Sequence, residues 1–113
     1  AADDAWYWGP KQLRANYWDN PRKVAAQNPM TFARRMKTPT LVVHGLLDYR
    51  VPDAQGLAYY DLLKAKEVPT RLVFFPDENH WILKPRNSQL WYREFFSWLR
   101  RWVDTGGKAR ARR

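Results

Sequence analysis

From Thr40 onward the chain switches between two kinds of apolar pattern. Thr40-Leu41-Val42-Val43-His44 and Arg71-Leu72-Val73-Phe74-Phe75 are short, rich in β-branched or aromatic residues, and almost unbroken in apolar positions. Runs of that length and make-up predict strands buried on both faces, as in parallel sheets. Between them, Pro52-Asp53 opens a segment in which Leu57, Tyr60, Leu62 and Leu63 recur at helical spacing. Glu67-Val68-Pro69 ends it. After the second strand, Asn87 or Ser88 is expected to cap a long final helix reaching about Val103. Its Leu90, Trp91, Phe95, Trp98, Leu99 and Trp102 fall on one face, and Gly106-Gly107 marks its end. That period predicts an aromatic stripe buried against a sheet, with Arg93, Arg100 and Arg101 turned to solvent.

The first third of the chain is less regular. Residues 1–19 are aromatic with scattered charges and no clean period. Asp19-Asn20-Pro21 reads as a capped helix start, and the helix runs through Gln27 until Asn28-Pro29 stops it. Residues 31–37 predict a further helical turn before Thr38-Pro39.

Strand, helix, strand, helix in that order gives a right-handed parallel βαβ unit and an α/β fold class. Two strands make a poor sheet, since stable sheets usually have about four to six. Both strands therefore call for neighbours. A domain over residues 1–105 is expected, followed by a disordered basic tail, 106–113, with four cations and no acid.

Composition narrows the chemistry. Seven Trp, six Tyr and five Phe in 113 residues suit a chain that packs against something else. The absence of cysteine removes disulfides, thiolate metal sites and cysteine nucleophiles. Residues 1–10 lack the basic-then-apolar order of a signal peptide, although a parent protein could carry its own. No apolar stretch approaches the ~18 residues of a membrane span, so no membrane partner is expected. The net charge of +9 admits a second reading, a non-enzymatic basic module that contacts nucleic acid or an acidic partner. The helical period of the aromatic stripe argues against a nucleic-acid stacking surface.

In parallel sheets the functional groups collect just past the carboxyl ends of the strands. Here the first such loop, Leu46 to Pro52, holds Asp48, and the second, Asp77 to Pro85, holds His80. Adjacent strands lie about 4.8 Å apart, so these loops can bring a carboxylate to an imidazole. An acid bonded to one ring nitrogen fixes the tautomer and stabilises the imidazolium formed when the other nitrogen takes a proton. From the residues alone, Asp48 can equally be a turn aspartate and His80 a surface histidine.

HGLLDYRVP, QGLAYYDLLKAKEVPTRLVFFPDENHW and NSQLWYREFFSWLRRW resemble the C-terminal end of the prolyl oligopeptidase family of serine peptidases. The likeness is nearest to its dipeptidyl-peptidase and acylaminoacyl-peptidase-like branch and runs from about Trp18 to Val103. It implies the C-terminal portion of an α/β-hydrolase fold, with Asp48 as triad acid, His80 as triad base and no cofactor. It also implies hydrolysis of short peptides through an acyl-enzyme. The family's nucleophile sits upstream in a G-x-S-x-G elbow. The two serines of this chain, Ser88 and Ser97, lack those glycines and follow His80. The nucleophile and oxyanion hole are thus expected on an upstream part of the same catalytic domain, the chain's main partner beside a peptide substrate. Alone, the chain is expected to be inactive. Bacterial cytoplasm and periplasm both remain open.

The remaining polar residues of the loops have quieter readings. His44 is read as structural, hydrogen-bonded behind the site. A metal site from His44, Asp48 and His80 has no recognised ligand spacing. Asp77 and Glu78 are expected to shape their loop or to be solvated, Arg50 to join a structural ion pair, and Trp81 either to line the site or to pack.

Overall fold

The structure is a computed structural model that describes residues 7–103. The basic tail 106–113, the Gly106-Gly107 helix stop and residues 1–6 lie outside the described residues.

The two strands form as expected. β1 (Thr40–Gly45) and β2 (Thr70–Phe75) pair in parallel, with Thr40 beside Thr70 and Gly45 beside Phe75. The connecting helix, α2 (Asp53–Ala65), follows α1 (Pro21–Gln27), and the last helix is α3 (Pro85–Trp102). Alternation along each strand sorts the side chains. Val42 and Leu72 face α2, where Val42, Leu63 and Val68 make the core cluster. Arg71 faces α3 and pairs with Glu94, Nε to Oε2 at 3.0 Å. The two helices thus lie on opposite faces of the sheet.

The buried stripe of α2 is not quite the expected one. Leu63 is fully buried, but Leu57 is 46% exposed. The inner face runs through Gly56, Tyr59, Tyr60 and Leu63, a spacing of three, four and seven residues. Gly56 takes the inward place because the ring of His44 lies against it: a Cβ there would meet His44 Nδ1 at 2.7 Å.

α3 differs in two ways. It begins at Pro85, whose fixed φ suits the first helical position, and no side chain caps it. Asn87 and Ser88, expected as caps, instead bond back into the preceding loop: Asn87 Nδ2 donates to Asp77 and Glu78, and Ser88 Oγ donates to the Ile82 carbonyl at 2.9 Å. The aromatic stripe, expected to be buried, is not: no α3 residue is buried, and Phe95, Phe96 and Leu99 are exposed. Two strands present too narrow a face to cover an 18-residue helix. The strands are likewise only partly covered, with Val42, Gly45 and Phe75 alone buried. Arg93, Arg100 and Arg101 are exposed, as the helical period requires.

Upstream, Asn20 caps α1 through its side-chain oxygen on the Lys23 N–H at 3.1 Å. Asn28 both ends α1 and starts the next element, its side chain accepting from the Met30 N–H ahead of the 3-10 segment Pro29–Arg35. The 3-10 segment replaces the expected turn over 31–37. A π-helical segment, Trp8–Leu13, precedes them and has no counterpart in the apolar pattern. Among the described residues no helix is long and apolar enough to cross a membrane.

Candidate active site

The loops that leave β1 and β2 are tied to each other before they carry any chemistry. The Leu46 N–H donates to the Phe75 carbonyl and the Leu47 N–H to the Glu78 carbonyl, both at 2.9 Å. Gly45 makes this approach possible. A Cβ at that position would sit 2.2 Å from the Asn79 carbonyl oxygen and 2.5 Å from that of Glu78. Any side chain there would push apart the two loops that carry the acid and the imidazole.

Asp48 is 7% exposed and fully engaged. Its Oδ1 accepts from the N–H groups of Arg50, at 3.0 Å, and Val51, at 2.8 Å. These bonds wrap the loop around the carboxylate, the short-range turn chemistry expected of aspartate. Its Oδ2 lies 2.9 Å from His80 Nδ1. Burial pushes the Asp48 carboxyl up, but the Val51 N–H, the His80 bond and charge, and the Arg50 N–H outweigh it and hold the group below its ordinary value. The carboxylate is therefore ionised at neutral pH.

An ionised carboxylate can only accept, so Nδ1 of His80 carries the hydrogen. That leaves Nε2 as the basic nitrogen, and no hydrogen bond engages it among the described residues. The ring is 41% exposed and stands edge-on to Trp81, centroids 5.8 Å apart. A cavity of about 690 Å³ opens beside it, walled by Trp81, Ile82, Trp91 and Tyr92. Trp81 thus lines the cavity.

One other residue contributes more than its sequence signal suggested. Glu78 is 4% exposed and is no solvated loop acid. Its carboxylate accepts from the Leu83 N–H at 3.1 Å, the Lys84 N–H at 2.9 Å and Asn87 Nδ2 at 2.8 Å. Burial and the Asp77 charge push it up, yet these donors hold it below its ordinary value. Glu78 therefore folds the His80 loop onto the start of α3. Its place just before Asn79-His80 was the available signal, but burial cannot be read from an acidic pair. Asp77, by contrast, is exposed and bonded to Lys84 Nζ at 2.7 Å.

His44 sits largely covered behind the acid, with Nε2 2.8 Å from the Val51 carbonyl and 3.7 Å from Asp48 Oδ2. Arg50 bonds to Asp48 through its backbone while its side chain is exposed. Ser88 lines the cavity, but its hydroxyl proton is committed to the Ile82 carbonyl. Ser97 lies on α3 and accepts from Arg100. Among the described residues no group of three or more His, Cys, Asp or Glu is placed to hold a metal.

This arrangement of parallel strands, crossing helix and paired loops agrees with comparisons at the sequence level. The family model of the prolyl oligopeptidase family matches residues 1–106. The dipeptidyl-peptidase 5 of Porphyromonas endodontalis is 43% identical over 82 residues, covering 73% of this chain and 12% of that protein. The dipeptidyl-peptidase 5 of Porphyromonas gingivalis is 38% identical over 91 residues, covering 77% and 13%. That of Schizosaccharomyces pombe is 42% identical over 82 residues, covering 73% and 12%. The chain thus spans only about an eighth of the length of these relatives. With its α/β-hydrolase-type βαβ unit and a match over nearly its whole length, the chain belongs to the prolyl oligopeptidase family of peptidases.

Proposed function

We propose that this chain supplies the acid and the base of a serine-peptidase triad, Asp48 and His80, to a catalytic domain whose nucleophile lies on an upstream part. The observation that carries the proposal is the 2.9 Å contact between Asp48 Oδ2 and His80 Nδ1 at the ends of adjacent parallel strands. His80 Nε2 takes the proton of the serine hydroxyl as its oxygen attacks the scissile carbonyl. It returns that proton to the leaving amine as the C–N bond breaks, giving the acyl-enzyme. It then deprotonates the water that hydrolyses the ester. Asp48 keeps Nδ1 protonated and stabilises the transient imidazolium. The substrate is a short peptide cleaved near an end, in keeping with the dipeptidyl-peptidase names of the relatives.

Dependence on an upstream part is supported by surface left uncovered. The outer edge of β1 has no strand partner among the described residues, and the aromatic stripe of α3 is partly exposed. The buried Trp102 Nε1–H finds no acceptor there. Both serines are bonded away from His80.

A fluorophosphonate probe tests the proposal. On this reading the chain alone does not label, because the nucleophile and oxyanion hole belong to the upstream part. Combined with the upstream part, labelling should appear on an upstream serine and be lost in His80→Ala. Asp48→Asn should lower kcat about 10⁴-fold with geometry intact. Modification of Ser88 or Ser97 in the chain alone would refute the assignment of the nucleophile.

A further inference from the structure

His44 occupies a place that packing alone does not explain. It ends the apolar run of β1, and its ring is about nine-tenths buried between Phe74, edge-on with centroids 6.4 Å apart, and Gly56 of α2. An apolar ring would fill that space without desolvating two nitrogens. The Val51 carbonyl, 2.8 Å from Nε2, can only accept, so His44 carries its hydrogen on Nε2. His80 carries its hydrogen on Nδ1, the opposite tautomer.

The Val51 contact bears directly on the acid. Val51 donates its N–H to Asp48 Oδ1 and accepts from His44 through its carbonyl. His44 sits four residues before Asp48 on the rigid strand, and Val51 three residues after it on the loop. The hydrogen bond therefore closes a bracket whose contents are the turn that holds Asp48. Its other side is closed by Leu47 N–H on the Glu78 carbonyl. The same Nε2 lies 3.7 Å from Asp48 Oδ2. A carboxylate aimed by backbone N–H groups is only as well placed as the loop that carries them.

We infer that His44 is a positioning residue for Asp48, acting through the Val51 carbonyl: it fixes the acid so that Oδ2 meets His80 Nδ1. The inference rests on the reading of Asp48 and His80 as a working pair. Gly56 is the complementary half of the device, since it leaves room for the ring that reaches Val51.

The test is ¹⁵N NMR of the two imidazoles in the full chain at neutral pH, with melting temperature followed in parallel. In the wild type His44 should give the signature of an Nε2–H tautomer and His80 that of an Nδ1–H tautomer with a slowly exchanging Nδ1 proton. His44→Phe keeps a ring but no donor and should lose that slowly exchanging His80 signal. His44→Gln places an amide N–H near the lost Nε2 and should restore it. His44→Asn carries an amide too short to reach Val51 and should behave as the phenylalanine variant does. Retention of the His80 signature in His44→Phe or in His44→Asn overturns the inference, as does its loss in His44→Gln. Should His44→Phe fail to fold, the Gln and Asn variants decide alone. Asp48→Ala reports separately on the pair itself: an unchanged His80 signature there would defeat the triad reading, not the role of His44.

Discussion

At Asp48 three requirements meet in one side chain. Its carboxylate closes its own turn, accepts from His80 and lies near His44. A folded-state pKa held below the unfolded one contributes stability that is present above the unfolded value and lost as pH falls through the folded one. Asp48 and Glu78 both have depressed values. Thermal melts should therefore fall in temperature below about pH 4, the ordinary carboxyl range. The fall should be shallower in Asp48→Asn and Glu78→Gln, which remove the linked proton; an equally steep fall in both would show that other groups govern it. Gly45 makes a sharper prediction. Gly45→Ala must displace backbone, not a side-chain tip, and overpacking of this kind costs about 1–3 kcal/mol. The variant should melt lower and lose the His80 Nδ1 signal together, because the same displacement separates both loops.

At the scale of elements, stability is concentrated in the βαβ unit. Leu63 is fully buried between α2 and the sheet, so Leu63→Ala should cost about 2–5 kcal/mol in denaturant unfolding. The Arg71–Glu94 pair, the named tie between β2 and α3, is more than half exposed on the arginine side. Arg71→Ala should therefore change stability by less than about 1 kcal/mol. The long helix with the strongest apolar stripe is thus the one held least by the described residues. Its amphipathic pattern reports what α3 is built to meet, and the two strands supply only part of that surface.

At the scale of the molecule, the described chain is loosely closed. Its radius of gyration is 17.1 Å, against about 13 Å for a compact domain of about 100 residues. An open strand edge and exposed aromatic side chains are the features that promote association. Sedimentation velocity on the chain alone should show concentration-dependent self-association. An equimolar upstream part of the domain should suppress it and yield a one-to-one species. A monodisperse monomer at all concentrations, indifferent to that addition, would count against the proposed docking.

The strands and the crossover order were legible in the sequence because each rests on short-range pattern: apolar runs, prolines and helical spacing. That Asp48 and His80 could meet was legible too, because parallel strands deliver the loops past their carboxyl ends to one place, but the pattern alone left a turn aspartate and a surface histidine equally open, and only the family resemblance singled the two out. The start of α3 was misread because Asn87 and Ser88 are good local caps whose side chains found better partners in the loop before them. The inner face of α2 was misread because Gly56 has no apolar side chain to register in a hydrophobic pattern, and only the approach of His44 gives it a role. Tertiary structure alone decided the burial of Glu78, the opposite tautomers of the two histidines and the bracket between His44 and Val51. Each depends on atoms brought within about 3 Å by two loops at once, and hydrogen bonds fall off over tenths of an ångström while sequence patterns repeat over several residues. The sequence set which residues could meet, and the crossing of the two loops set which of them do.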